Sequence, residues 1–123
     1  MKVIVAGTRT FIHYRLLNEV LDDFMKECCV TEIVSGGAKG ADQYGEIWAE
    51  ENSIPVKIFE ADWARHGKAA GPKRNQQMAN YADYLIAFWD DKSRGTKSMI
   101  DKMYRENKPV KVVHYKQSID ISF

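Results

Sequence analysis

Short apolar runs alternate along the chain with longer stretches in which apolar residues recur every three or four positions. The first run, residues 2–6, reads KVIVA, and the stretch that follows, residues 14–26, has the apolar spacing of an amphipathic helix. The same alternation predicts further strands at residues 32–35, 55–60, 83–89 and 109–114, and further helices at 41–52, 72–81 and 96–106. Strands alternating with helices indicate βαβ units, so the pattern predicts an α/β fold with a five-stranded, mainly parallel sheet covered on both faces.

Composition narrows the class of protein. The chain has 123 residues, 45% of them hydrophobic, and no repeat or linker, which predicts one domain over residues 1–114 and a polar extension at 115–123. Eighteen Lys and Arg against seventeen Asp and Glu give a net charge of +1, which disfavours a nonspecific polyanion binder. No apolar run approaches the ~20 residues of a membrane span. The adjacent Cys28 and Cys29 are poorly placed for a disulfide, and no signal peptide precedes the first strand, so we expect a cytoplasmic protein.

The predicted sheet directs attention to one of its edges. In open α/β sheets, ligands bind beyond the carboxyl ends of the strands, near the point where the strand order reverses. The loops expected at that edge are residues 7–13, 35–41, 61–71 and 90–95. Candidate functional residues are therefore sought in these loops.

A glycine-rich loop follows the second strand and opens the second helix. It reads Ser35-Gly36-Gly37-Ala38-Lys39-Gly40-Ala41-Asp42, which fits neither the Walker motif nor the dinucleotide fingerprint. Glycines let the backbone approach a ligand closely, and the free amides of a helix start favour an anion, so the loop predicts a phosphate or nucleotide cradle. The alternative is a tight strand-to-helix turn with Asp42 near the cap.

Acidic and basic residues follow in the next loop and helix. Glu60 ends the third strand, where dinucleotide-binding folds place an acid against a ribose hydroxyl, and Asp62 is an equally good candidate. Residues 63–82 contain Arg65, Lys68, Lys73 and Arg74 but no Asp or Glu. Such a block suits a phosphorylated ligand, with Trp63 stacking on a base; the alternative is a solvated basic loop and a core tryptophan. The candidates here are Glu60, Trp63, Lys68, Gly71, Arg74 and Asn75.

The first and fourth loops add further candidates. An arginine at the end of the central strand can reach the crevice, and a hydroxyl beside it can bind phosphate; the alternative is that these residues only shape the turn. The residues concerned are Gly7, Thr8 and Arg9. The fourth loop offers a helix cap at Ser93 or Thr96, or a second anion site that includes Gly95. Asp90, which precedes it, is a candidate to bind a ligand hydroxyl.

The sequence lacks the motifs typical of metal binding and of serine hydrolases. The three histidines are scattered, so no His/Cys cluster has metal-ligand spacing, and no G-x-S-x-G elbow is present. We expect no firm cofactor and no protein-held metal. Asp90 and Asp91 allow at most a hydrated Mg²⁺ accompanying a polyphosphate ligand.

Four motifs in this order carry a resemblance: Gly7-Thr8-Arg9, the loop Gly36 to Asp42, residues 63–75 and Ser93 to Thr96. Together they resemble the SLOG superfamily of Rossmann-like proteins, in its small YspA/YpsA-related branch, over residues 1–114. The resemblance implies a Rossmann-like three-layer sandwich with strand order 3-2-1-4-5. It also implies homo-oligomers and binding of a nucleotide derivative such as an ADP-ribose relative, a NAD-related molecule or a cyclic nucleotide.

Two groups of relatives define alternative functions. The Lonely Guy phosphoribohydrolases cleave the N-glycosidic bond of nucleoside monophosphates with a Pro-Gly-Gly-x-Gly-Thr loop followed by a catalytic Glu. Here Ser35 replaces the Pro, Lys39 is an extra residue, and Glu46 is displaced by one position, about 100° around the helix. Catalysis would then fall to Asp42, Glu46 or Glu60. The Smf/DprA relatives bind single-stranded DNA, which the near-neutral charge of this chain disfavours.

The sequence therefore predicts a binder of a phosphorylated nucleotide derivative, for sensing, sequestration or signalling. An N-glycosidase is the alternative, and a single-stranded nucleic-acid-binding module is the third hypothesis. Candidate ligand-binding residues of the first loop, of residues 60–75 and of the fourth loop are named above. The glycine loop adds the remaining ones: Gly36, Gly37, Ala38, Lys39, Gly40 and Asp42.

Overall fold

A computed structural model describes residues 1–115 of the chain. The five strands are β1 (Lys2–Gly7), β2 (Glu32–Ser35), β3 (Val56–Ile58), β4 (Tyr84–Trp89) and β5 (Val110–His114). The helices are α1 (Tyr14–Glu27), α2 (Ala41–Glu51), α3 (Trp63–His66), α4 (Ala70–Tyr81) and α5 (Arg94–Arg105), with a 3-10 turn at Gly67–Ala69 between α3 and α4. All strand pairs are parallel and the order is β3-β2-β1-β4-β5, which confirms the Rossmann-like α/β fold and its expected strand order.

The two central strands are apolar throughout because both of their faces are covered. Val3 and Val5 contact the core beneath α1 and α2, whereas Ile4 faces the core formed with α4 and α5. Leu17 and Leu21, one helical turn apart on α1, are fully buried in the first core. Each flanking helix thus turns one apolar stripe toward the sheet, as the helical spacing predicts.

Element boundaries differ from the prediction where tertiary context decides them. The third strand is shorter than predicted because β3 is an edge strand, and its residues Val56 and Ile58 are exposed. The predicted break at 61–71 contains α3, whose first turn is capped by the Asp62 carboxylate accepting from the Arg65 amide at 3.1 Å. Pro72 lies in the first turn of α4, where its missing N–H has no intrahelical partner to lose.

The topology gathers four loops at one edge of the sheet. The loops after β1, β2, β3 and β4 all leave the carboxyl ends of parallel strands. The chain runs outward from β1 to β3 and then returns to β4, so the strand order reverses between β1 and β4. This is where ligands bind in such folds.

Two further predictions concern the C-terminal extension and membrane-spanning segments. The predicted extension begins at Tyr115, and its remaining residues, 116–123, lie outside the described residues. Within residues 1–115, no helix has the length and apolarity needed to cross a membrane.

Candidate functional site

The loop between β2 and α2 takes a conformation that requires glycine at two positions. Gly37 and Gly40 have φ of +72° and +81°, in the left-handed region that side chains disfavour. At Gly40 a Cβ would also lie 2.4 Å from the carbonyl oxygen of Thr8. The glycine loop is therefore pressed against the loop after β1, and the two loops form one surface.

A buried carboxylate lies beneath this surface. Asp42, in the first turn of α2, is 5% exposed and accepts a hydrogen bond from the Ala38 amide at 3.4 Å. Burial raises the pKa of Asp42 to about 7, although the Ala38 amide and the nearby Arg74 guanidinium both favour its ionised form. The site thus holds an acid that titrates near neutral pH.

Arg74 ties α4 to the glycine loop. Its Nη1 donates to the Gly36 carbonyl at 2.6 Å, and its Nε donates to Asn75 Oδ1 at 3.0 Å. Burial lowers the pKa of Arg74 and the charge of Asp42 opposes that shift, but a guanidinium remains protonated at any physiological pH. The arginine is therefore a fixed cation at the centre of the loops.

Three cavities meet at Arg74. The main cleft has a volume of about 510 Å³ and is lined by Arg9, Gly36, Gly37, Ala38, Lys39, Glu60, Ala61, Trp63 and Arg74. The inner pocket, of about 80 Å³, opens from it between β1 and α5 and shares Arg9, Ala38 and Arg74 with it. The outer groove, about 510 Å³ over α3 and α4, shares Glu60 and Arg74 with the main cleft.

The inner pocket lies where the strand order reverses, at the start of α5. Ser93 caps that helix: its Oγ accepts from the Thr96 amide at 3.3 Å and lies 3.0 Å from the Thr96 hydroxyl. The buried Asn75 donates from Nδ2 to the Gly95 carbonyl at 3.3 Å, which joins α4 to α5. Gly7, Asp42, Asn75, Ser93, Gly95 and Thr96 all line the pocket, with Met78 and Met99 as apolar walls.

Trp63 forms one side of the main cleft. Its indole packs against Gly71, where a Cβ would lie 3.2 Å from Cη2, yet the residue stays 51% exposed. This exposure disfavours the alternative that Trp63 belongs to the core. Because Gly71 has no side chain, the indole ring can pack closely against its backbone. Glu60 lines the same cleft and is exposed.

Other predicted residues lie beside the cavities. Thr8 is 7% exposed and lies in the turn after β1. Burial opposes ionisation of Asp90, but its acceptance of the Lys92 and Ser93 amides at 2.9 Å outweighs burial and lowers the pKa of Asp90. Asp90 therefore shapes the loop after β4. Lys68 is exposed in the 3-10 turn and lines none of the three cavities.

Glu46 is engaged beneath the glycine loop. The Glu46 carboxylate accepts a hydrogen bond from Ser35 Oγ at 2.6 Å, and Ser35 Oγ in turn accepts one from the Gly37 amide at 3.0 Å. The carboxylate therefore supports the loop from below and lines none of the three cavities. The one-residue displacement in the sequence indicates this outcome, because it turns the side chain away from the crevice.

The outer groove contains residues of the basic block, which the sequence predicts as a site for a phosphorylated ligand, although not as a separate groove. Arg65, Lys73, Gln77 and Asn80 line it, together with His66 and the cap residue Asp62. The absence of acidic residues from 63 to 82 is the sequence signal that points to it. Among the described residues, no group of three His, Cys, Asp or Glu side chains is placed to hold a metal ion.

Comparisons with known proteins agree with the fold. The family model YAcAr, described as the YspA, cpYpsA-related SLOG family, matches residues 1–66. Gene 61 protein of Mycobacterium phage D29 is 30% identical over 116 residues, covering 89% of this chain and 93% of that protein. The crystal structure of DNA processing protein A (DprA) from Streptococcus pneumoniae superposes on 98% of this chain with a TM-score of 0.76 at 20% identity, and the chain spans 52% of its length. The chain therefore belongs to the YspA- and cpYpsA-related family of the SLOG superfamily.

Proposed function

We propose that this protein binds a phosphorylated nucleotide derivative in the main cleft, with a phosphate in the inner pocket, within one domain formed by residues 1–114. The observation that carries the proposal is the convergence of cleft, pocket and groove on the fixed cation Arg74. Arg9 adds a second cation to cleft and pocket. Arginines bind phosphate oxygens through charge-assisted hydrogen bonds.

The two cavities differ in the chemistry they offer. The inner pocket has the size of a small anionic group, and the hydroxyls of Ser93 and Thr96 at the start of α5 suit phosphate oxygens. The main cleft is over six times larger, 510 against 80 Å³, and offers a half-exposed indole and a carboxylate. Trp63 would stack on a base and Glu60 would accept from a ribose hydroxyl.

A thermal-shift panel of AMP, ADP-ribose, NAD and cyclic nucleotides tests the proposal. Arg9→Gln removes an exposed cleft cation, and we expect it to weaken nucleotide binding about tenfold or more, the value of a charge-assisted hydrogen bond. Arg15→Gln, an equally exposed change on α1 outside the cavities described above, is the matched control and should leave affinity unchanged. Equal affinities for all three proteins, or no binding, would remove the cleft as the nucleotide site.

One observation favours a second candidate function, N-glycosidic bond hydrolysis. Asp42 lines the inner pocket beside the main cleft and has a pKa of about 7, which suits a general acid or base. Incubating each bound nucleotide with the protein and with the Asp42→Asn variant, and measuring free base by chromatography, separates a hydrolase from a binder. Release that requires the carboxylate would establish the enzyme.

The third hypothesis is single-stranded nucleic acid binding. The fold resembles a protein named for DNA processing, but at 20% identity the likeness concerns the fold. The net charge of +1 and the small inner pocket support a small ligand instead. Tight oligonucleotide binding with a steep salt dependence would favour the nucleic acid.

A further inference from the structure

The outer groove contributes only the walls that it shares with the main cleft, Glu60 and Arg74, to the function proposed so far. We propose that it is a second subsite, which takes the second half of a dinucleotide-sized ligand whose first half occupies the main cleft. The proposal rests on the proposed function, because the first half uses the same cleft. A nucleoside monophosphate would then occupy only part of the binding surface.

Continuity between the cavities is the first observation. The outer groove and the main cleft each have a volume of about 510 Å³, and they share Glu60 and Arg74 as walls. A ligand confined to one nucleoside would leave one of two equal cavities empty. A molecule with two halves joined by a pyrophosphate would place its central charge at the shared guanidinium of Arg74, which attracts phosphate oxygens through charge-assisted hydrogen bonds.

The charges around the groove are the second observation. Lys73 lies in the first turn of α4, which contains no acidic residue, and Arg74 follows it. With Arg65 on the preceding helix, these cations outnumber the two acids of the groove, Glu60 and Asp62. The positive end of a helix dipole disfavours a cation in the first turn. Placing Lys73 against that dipole indicates a requirement other than helix stability, and an anionic ligand supplies one.

The face that α4 turns to the groove is the third observation. Lys73, Gln76, Gln77 and Asn80 follow one another at three- and four-residue spacing, so they share a face of the helix. An ordinary solvated face mixes acids with bases, whereas this one carries a cation and three amides. Gln76 Nε2 donates to Asn80 Oδ1 at 2.9 Å, which orients both amides. Amides offer both donors and acceptors, as the edge of a base or sugar requires.

Calorimetric titration with AMP, ADP-ribose and NAD tests the second subsite. We expect the wild-type protein to bind at least one of the two larger ligands tenfold or more tightly than AMP. The Arg65→Gln/Lys73→Gln double variant should lose most of that gain while its affinity for AMP stays within twofold. An Arg15→Gln/Lys26→Gln variant on α1 removes the same number of exposed charges and should keep the gain.

The outcomes separate this inference from the proposed function. If AMP binds with sensitivity to Arg9→Gln but the larger ligands gain nothing, the second subsite is wrong and the nucleotide cleft stands. An equal loss for AMP and for the larger ligands in the double variant also overturns the subsite. Absence of any nucleotide binding overturns both proposals. Tighter binding of a short single-stranded oligonucleotide, lost in the double variant, would assign the groove to nucleic acid instead.

Discussion

Asp42 is a buried carboxylate that lies among charged and polar groups. It is almost fully buried, and the groups around it include a cation, a backbone amide and a second carboxylate, Glu46. Burial dominates their combined effect, so the folded protein prefers the protonated acid until the pH approaches 7. A buried carboxylate kept at this cost beside a pocket is typical of functional sites.

The raised pKa has a consequence for stability. The pKa of Asp42 is about 7 in the folded protein and 3.8 in the unfolded chain, so between these values the folded state binds more protons. The free energy of unfolding must therefore fall as the pH rises from about 4 to about 7, and this loss is complete above 7. Asp42→Asn removes the titration.

We expect the stability of Asp42→Asn relative to the wild type to rise by about 3 kcal/mol between pH 5 and pH 8. Urea unfolding of both proteins at the two pH values measures the difference and cancels every other titrating group. Parallel pH profiles for the two proteins would contradict a raised pKa at this position.

At the scale of the elements, two helical glycines differ in what surrounds them. Gly45 lies on the buried face of α2, and a Cβ there would approach Val5 on β1 to 2.7 Å. Gly95 lies in the first turn of α5 and has open space around it. The first glycine sets how closely α2 packs on the sheet, whereas the second leaves room at the inner pocket.

Alanine at these two positions should have opposite effects. Gly45→Ala should destabilise the protein by about 1–3 kcal/mol, since α2 must move away from β1. Gly95→Ala should stabilise it by about 0.5 kcal/mol, since alanine is the better helix former and meets no neighbour. Thermal unfolding without ligand measures both, and a stabilised Gly45→Ala protein would contradict the close approach of α2 to β1.

For the whole molecule, the net charge of +1 hides an uneven distribution. Residues 63–82 hold four cations and no acid, and one of them, Arg74 on α4, lines the main cleft with Arg9. Exposed apolar side chains collect elsewhere: Val56 and Ile58 lie on the edge strand β3, 36% and 46% exposed. An uncovered edge strand with apolar side chains is an unusual surface for a monomer.

We propose homo-oligomerisation on this basis and on the SLOG resemblance. Light scattering should give at least twice the 14.1 kDa mass of the chain. Val56→Lys should shift the population toward the monomer, whereas Met25→Lys, a similarly exposed apolar position on α1, should not. A wild-type mass of 14.1 kDa at micromolar concentration would contradict the proposal.

Local patterns were enough to predict much of this structure. The apolar runs at residues 2–6 and 83–89 predict β1 and β4 because strands buried on both faces must be apolar throughout. The helices follow from their spacing, and the family motifs imply the strand order. The short α3 and its cap were missed because four residues carry no measurable periodicity.

The sequence by itself determined the fold, the family and the edge of the sheet at which to seek a site, because periodicity, glycines and motif order are local properties. Only the tertiary structure decided which candidates line a common cavity. It joined Arg9, Gly36 and Arg74 from three distant segments, engaged Glu46 with Ser35, and buried Asp42. Burial and contact between distant segments depend on how the helices pack on the sheet, and residue spacing along the chain does not encode that packing directly.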